Sequence, residues 1–276
     1  MQNSKFNISL SPWGEQEGNF NSKTLRHIFI LILSLVSLCA SAQVGEYRHV
    51  FSVGASGGYV LNRLTLQPSL PQKMHGGTTF GIVGRYTSEK YFSTLCAIQM
   101  EVNMTQLGWN EDIVTYNNAP VVNPITGEEE KYRRDMTYVQ IPIFAHLSWG
   151  KERNGVCGFV NLGPQIGFML SEKTDKNYEI PFTEVNFPDI YTRSTGRVST
   201  IVAQETMPVE NKFDYGIALG AGIEASIKHI GRFALEARYY YGLGNIYGDS
   251  KRDFFGQSSH GTIFIKLAYL YDLQRH

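Results

Sequence analysis

The chain of 276 residues balances 25 Lys and Arg against 25 Asp and Glu, so no net field draws it to nucleic acid. Aromatic residues make up 13% and glycines number 27, which suits membrane strands with aromatic girdles. Beyond the N-terminal segment no apolar run approaches the roughly 18 residues of a helical span, so an integral membrane protein of this composition has to be a barrel.

Residues 1–22 are polar and aperiodic. Lys23, Arg26 and His27 then precede the apolar run Ile28–Leu38 and the small-residue site Ala40-Ser41-Ala42. A basic region, a short apolar core and such a site predict a secretory signal peptide cut before Gln43. The core is too short for a transmembrane anchor. Leu38 is bulky where a lipidated Cys39 needs small neighbours, which favours ordinary cleavage. Residues 1–42 are therefore read as extension and signal, and residues 43–276 as one exported barrel domain. The exported cysteines, Cys96 and Cys157, fall on opposite faces of non-adjacent strands, so no disulfide is expected.

From Arg48 on, eight stretches alternate apolar and polar residues: His49–Tyr59, Thr78–Thr87, Phe92–Gln106, Met136–Trp149, Val156–Leu170, Phe213–Ile227, Arg232–Leu243 and Thr262–Leu273. Phe213–Ile227 is the clearest. Its odd positions are all apolar, and its even positions, Asp214, Gly216, Ala218, Gly220, Gly222, Glu224 and Ser226, are small or polar. Strict period-two alternation marks a strand between two environments. The run exceeds the roughly 9–11 residues that a tilted membrane strand needs. A face so rich in Gly and Ala fits the crowded inside of a narrow barrel, with the aliphatic face turned to lipid.

The links between stretches set the topology. Short links (Ser88–Tyr91, Gly150–Gly155, Lys228–Gly231) alternate with long ones (Val60–Gly77, Leu107–Asp135, Ser171–Lys212, Gly244–Gly261). Short periplasmic turns and long external loops are the pattern of an outer-membrane barrel. The fold expected is all-β, an eight-stranded antiparallel up-and-down transmembrane β-barrel. A soluble lipocalin-like barrel has the same strand count, but its apolar face points inward and its links need not alternate in length. The loop Ser171–Lys212, with Tyr178, Phe182, Phe187 and Tyr191, is expected either to fold back on the barrel mouth or to remain a mobile loop.

An eight-stranded barrel has room inside only for side chains. Parity points Arg85, Glu101, Glu224, Glu236, Arg238 and Lys266 inward, three acids and three bases that must pair or neutralise away from bulk water. Such a lumen is a polar plug; a proton path or narrow pore is the alternative. His146 and Ser148 form an H-x-S pair, a pattern also found in outer-membrane lipid A deacylases, where a His-activated Ser attacks an ester. Here the pair faces inward at the periplasmic end, away from outer-leaflet acyl chains, and no acid stands at a recognisable spacing. No catalytic residue, cofactor site or metal-ligand spacing is read from the chain. Tyr86, Tyr91, Phe92, Trp109, Trp149, Tyr239, Tyr269 and Tyr271 lie near strand ends and are expected in the headgroup girdles.

The signal ending in SAQ, the segment RYTSEKYFSTLCAIQMEVNMTQLGW, and the strands YVQIPIF, NLGPQIGF and LEARYYYGLGNI resemble the PorT-like outer-membrane β-barrel family. The resemblance covers nearly all of the exported chain. It implies a non-enzymatic integral outer-membrane protein, an anchor or accessory for a surface or type IX secretion complex. The partners expected are outer-membrane lipid and lipopolysaccharide, with secretion-machinery or surface proteins on the long loops. A lipid-modifying enzyme using His146 and Ser148, or a small channel, are the alternatives. The chain departs from the usual pattern of barrels ending on an aromatic residue: it closes on Leu273-Gln274-Arg275-His276.

Overall fold

The computed structural model describes residues 46–123, 126–151, 154–178, 197–199, 203–228, 230–248 and 254–275. The expected signal peptide and Phe182, Phe187 and Tyr191 lie outside these residues. Among these residues nine strands follow in order: β1 (Glu46–Gln67), the two-residue β2 (Gln72–Lys73), β3 (His75–Tyr91), β4 (Thr94–Glu111), β5 (Tyr132–Gly150), β6 (Gly155–Lys176), β7 (Phe213–Ile227), β8 (Gly231–Gly242) and β9 (Gln257–Arg275). Among the described residues one helical turn, α1 (Ala203–Thr206), stands between β6 and β7. The eight long strands pair antiparallel, each with its successor, and β1 pairs with β9 from Val50↔Arg275 to Gln67↔Gln257. The ring of hydrogen bonds is closed, so no strand edge is left unpaired in the wall. This is the expected eight-stranded up-and-down barrel, with β2 attached to the end of β4.

The alternation of the sequence becomes the two faces of the wall. On β7, Tyr215, Ile217, Leu219 and Ile223 are about half exposed on the outside, while Asp214, Ala218 and Glu224 are buried inside. The small face of β7 has a packing cause. A Cβ on Gly220 would sit 2.2 Å from the Glu236 carboxylate, and one on Gly222 would sit 2.6 Å from the Phe159 ring. Glycine there leaves room for groups that cross the lumen from neighbouring strands. Cys96 and Cys157 are both free.

Several strands run longer than the alternation predicts, mostly at the external end. β1 continues past Tyr59 to Gln67, β4 past Gln106 to Glu111, and β6 past Leu170 to Lys176; β5 begins at Tyr132 and β9 at Gln257. At the other end β3 reaches Tyr91, so the first short link shrinks to Phe92 and Ser93. The external extensions escape the sequence pattern because their two faces exchange character. On β1 the inward positions change from Ser52 and Ser56 to Val60, Leu64 and Leu66. On β4 they change from Gln99, Glu101 and Asn103 to Leu107 and Trp109. Trp109 therefore does not belong to a girdle: it is fully buried, its ring 5.1 Å from that of Tyr132. The other seven aromatics assigned to the girdles are exposed on the wall or at its ends.

Candidate functional site

The six inward charges are brought together, and every long strand adds to their network. Arg238 donates to both oxygens of Glu101 (2.7 and 3.1 Å) and both of Glu236 (2.9 and 2.8 Å). The guanidinium also lies over the Phe144 ring at 4.4 Å. Lys266 donates to Glu101 at 2.6 Å. Arg85 pairs with Glu224, and its Nε donates to Gln99, whose amide donates in turn to Glu101. Gln99 thereby joins the two charge groups into one. Two further charges belong with them: Arg232 lies 3.6 Å from Glu224 and 3.2 Å from Asp272, which accepts from Ser52. Both were legible, since Arg232 opens its alternating stretch on the inward parity and Asp272 lies on the inward face of its own. With four acids and four bases the layer is neutral, the condition under which buried charges are tolerated.

His146 and Ser148 face the lumen at the periplasmic end, both buried. His146 Nδ1 lies 2.7 Å from Asn161 Oδ1, and the Asn161 amide donates to Glu236. The imidazole is thus attached to the charge network through an amide, and its ring packs against Phe159 at 5.1 Å. The strand wall separates the pair from lipid.

The external half holds the groups that sequence reasoning missed. Past the apolar belt the barrel interior fills with Leu64, Leu66, Leu107, Trp109, Tyr132 and Met136, and the connections contribute Ala203, Val209, Ile246, Tyr247 and Phe255. The α1 segment is seated by main-chain contacts: Tyr132 Oη and Arg134 Nη2 donate to the carbonyl of Gln204, and Arg134 Nη2 also to that of Met207. The Gln204 amide donates to Glu111 at 2.9 Å. Arg197 reaches Glu205 at 3.1 Å and Glu130 at 3.4 Å, above the Tyr178 ring at 5.0 Å. The described part of the long β6–β7 connection thus folds back on the barrel mouth. Burial raises the Glu111 carboxyl to about 7 against the opposing pull of Arg197 and Gln204, and burial likewise raises the Tyr178 phenol. The pairing of Tyr132 and Arg134 with Gln204, and of Gln204 with Glu111, carries no periodic signal, because these partners lie 72, 70 and 93 residues apart in sequence.

Beside this packed cap a cleft of about 570 Å³ opens between β2, the external ends of β4, β5 and β6, and the β4–β5 connection. Ile113, Val114, Pro120 and Tyr132 give it an apolar floor, and Lys73, Lys131, Arg133 and Lys176 stand among its acidic neighbours. Among the described residues no three His, Cys, Asp or Glu side chains form a metal-holding group.

None of the curated proteins matches the chain. Among solved structures the chain is similar to Ail, the attachment invasion locus protein of Yersinia pestis (13% identity, 80% of this chain and 98% of that one, TM-score 0.32). It is also similar to OprG from Pseudomonas aeruginosa (8% identity, 82% and 98%, TM-score 0.40) and to Neisserial surface protein A (10% identity, 79% and 96%, TM-score 0.35). The pattern of the outer membrane protein beta-barrel domain matches residues 41–248, most of the chain. With its closed ring of strands and its apolar outer belt, this chain belongs to the outer membrane protein beta-barrel domain family.

Proposed function

We propose that this protein is a non-enzymatic anchor or accessory that holds a partner at the cell surface, in a type IX secretion complex or a related surface assembly. The observation that carries this reading is the packed external cap. β1, β4, β5, β6 and β9 outrun the apolar belt, and the returning connection gives the cap a core of its own. A fixed outer surface with a mixed polar and apolar cleft suits a protein partner better than it suits catalysis. In this reading residues 1–42 are removed on export. The apolar belt meets membrane lipid, and the exposed basic residues above it meet lipopolysaccharide headgroups.

The test is a deletion strain scored for export of surface proteases and adhesins, complemented with the parent or with a cleft variant, Lys131→Glu/Lys176→Glu. Loss of export restored by the parent and not by the variant is expected. Normal export in the deletion strain would remove the reading. The enzymatic alternative has its own measurement: His146→Ala and Ser148→Ala should leave lipid A acylation unchanged by mass spectrometry, as their burial behind the wall requires.

A further inference from the structure

The external rim of the wall is uneven. β6 runs on to Lys176, whereas its neighbour β7 starts at Phe213, opposite Phe168. Met169 donates to the Lys212 carbonyl, and from Leu170 on nothing among the described residues pairs with that side of β6. The other side stays on β5, from Thr137↔Ser171 to Tyr132↔Lys176. Every residue of Leu170–Lys176 is exposed. A strand above the apolar belt thus keeps one open edge, the kind of edge that takes up another strand. Its sequence is Glu172-Lys173-Thr174-Asp175-Lys176. Laid antiparallel on a second copy about Thr174, it sets Glu172 opposite Lys176 and Lys173 opposite Asp175, each pair twice. Residues directly opposite share a face, where unlike charges attract and like charges repel. Other registers fail on that rule. A one-residue slip sets Glu172 against Asp175 in one direction and Lys173 against Lys176 in the other. A two-residue slip sets Lys173 or Asp175 against its own copy, and parallel in-register pairing sets every charge against itself. Among the described residues Lys173, Asp175 and Lys176 enter no ion pair. Glu172 is engaged there only through Oε2, by the Val209 N–H at 3.4 Å and by Arg134 at 3.9 Å.

We propose that the open edge of β6 is a homotypic contact, at which two copies of this chain join by antiparallel pairing of residues 172–176 across a two-fold axis at Thr174. Membrane geometry decides how those copies are placed. Barrel strands lie about 35–45° from the membrane normal, so two copies in one membrane bring their β6 strands together at no more than about 70–90°. They cannot lie antiparallel. Copies in two facing membranes can, because a half-turn about an axis in the membrane plane reverses the strand. The contact therefore joins two membranes mouth to mouth. A joint this short is weak by itself, so it acts through many copies at once and fades as salt screens the charge pairs. It stands whether or not the cleft holds a secretion partner.

The experiment places the exported chain in two sets of phospholipid vesicles, external face outward, one set with a donor and the other with an acceptor lipid dye. Energy transfer between the sets reads vesicle clustering. Parent vesicles should cluster at least about fivefold more than empty ones at about 0.01 M salt, and no more than empty ones at about 1 M. Lys173→Asp, which sets like charges opposite Asp175, should lose most of the clustering. The double variant Lys173→Asp/Asp175→Lys keeps the net charge and restores the pairing, so it should cluster with itself. Parent and double-variant vesicles should not cluster with each other, since Lys then meets Lys and Asp meets Asp. Asp175 and Lys176 also border the cleft, but a cleft ligand could not produce this sorting. No clustering of the parent, full clustering of Lys173→Asp, or parent and double variant clustering together as well as each alone would each overturn the proposal. Heat-modifiable gel mobility verifies that every variant is a folded barrel.

Discussion

The two halves of this barrel share their strands and differ in what they put on each face. In the membrane half, β1 turns Phe51 and Tyr59 outward and Ser52 and Ser56 inward; in the external half the same strand turns Arg63 outward and Leu64 and Leu66 inward. The lower half is held by charges inside an apolar sleeve, the upper half by an apolar core inside a polar one. Backbone pairing is continuous through both. A strand therefore does not encode which of its faces is apolar; the solvent outside it decides. Where water surrounds the wall, burial of apolar surface drives the inside together. Where lipid surrounds it, that driving force is absent, and the lumen is held by charge pairing.

That comparison can be broken most sharply by removing the central group of each half. Arg238→Met leaves Glu101 and Glu236 facing each other without their shared cation, which should cost about 3–5 kcal/mol. Trp109→Ala opens a cavity in the cap and should cost about 3–5 kcal/mol as well. The two are told apart by readout. Arg238→Met should lower the urea midpoint of the whole barrel in bilayers, whereas Trp109→Ala should expose the cap to protease while heat-modifiable mobility persists. Equal loss of the barrel in both would mean that the halves are one cooperative unit.

The lipid face gives the next effect. Leu219→Arg sets a charge against hydrocarbon, at about 2–4 kcal/mol near the bilayer midplane, and should reduce the folded fraction in unfolding titrations. Arg at the outward position of Thr137, above the belt on β5, should be nearly neutral in the same titration. Substitution of the inward neighbour is smaller again. Gly220→Ala pushes against Glu236, which Arg238 and Asn161 hold in place, and should cost about 1–3 kcal/mol. Thiol labelling sharpens the assignment of faces: Leu219→Cys should react with a lipid-soluble probe alone, and Gly220→Cys with neither that nor an aqueous one. Aqueous labelling of Gly220→Cys would indicate an open lumen.

The membrane half was legible in the sequence because lipid outside and charges inside impose the same parity on eight separate stretches. Arg85, Glu101, Glu224, Glu236, Arg238 and Lys266 could be placed inside from parity alone. Their pairing could not, since it depends on stagger: Arg85 meets Glu224 across 139 residues. The cap was not legible. Its strands reverse their apolar parity at Val60 on β1 and at Leu107 on β4, so an outward-apolar pattern ends where the strand does not. Trp109 looked like a girdle residue because it follows a membrane strand, but its odd position on β4 is the inward one. The seat of α1 rests on carbonyl oxygens, which every residue carries and no sequence pattern marks.

The closing seam between β1 and β9 has a consequence for the order of events during assembly. The strand that begins the barrel finds one of its two partners only in the last residues of the chain, through eighteen paired positions. Val60 stands opposite Phe264 in that seam, and both belong to one buried cluster with Leu64, Leu66 and Phe255, so the core of the cap is complete only with the final strand. Closure of the wall and completion of the cap core therefore fall in the same step.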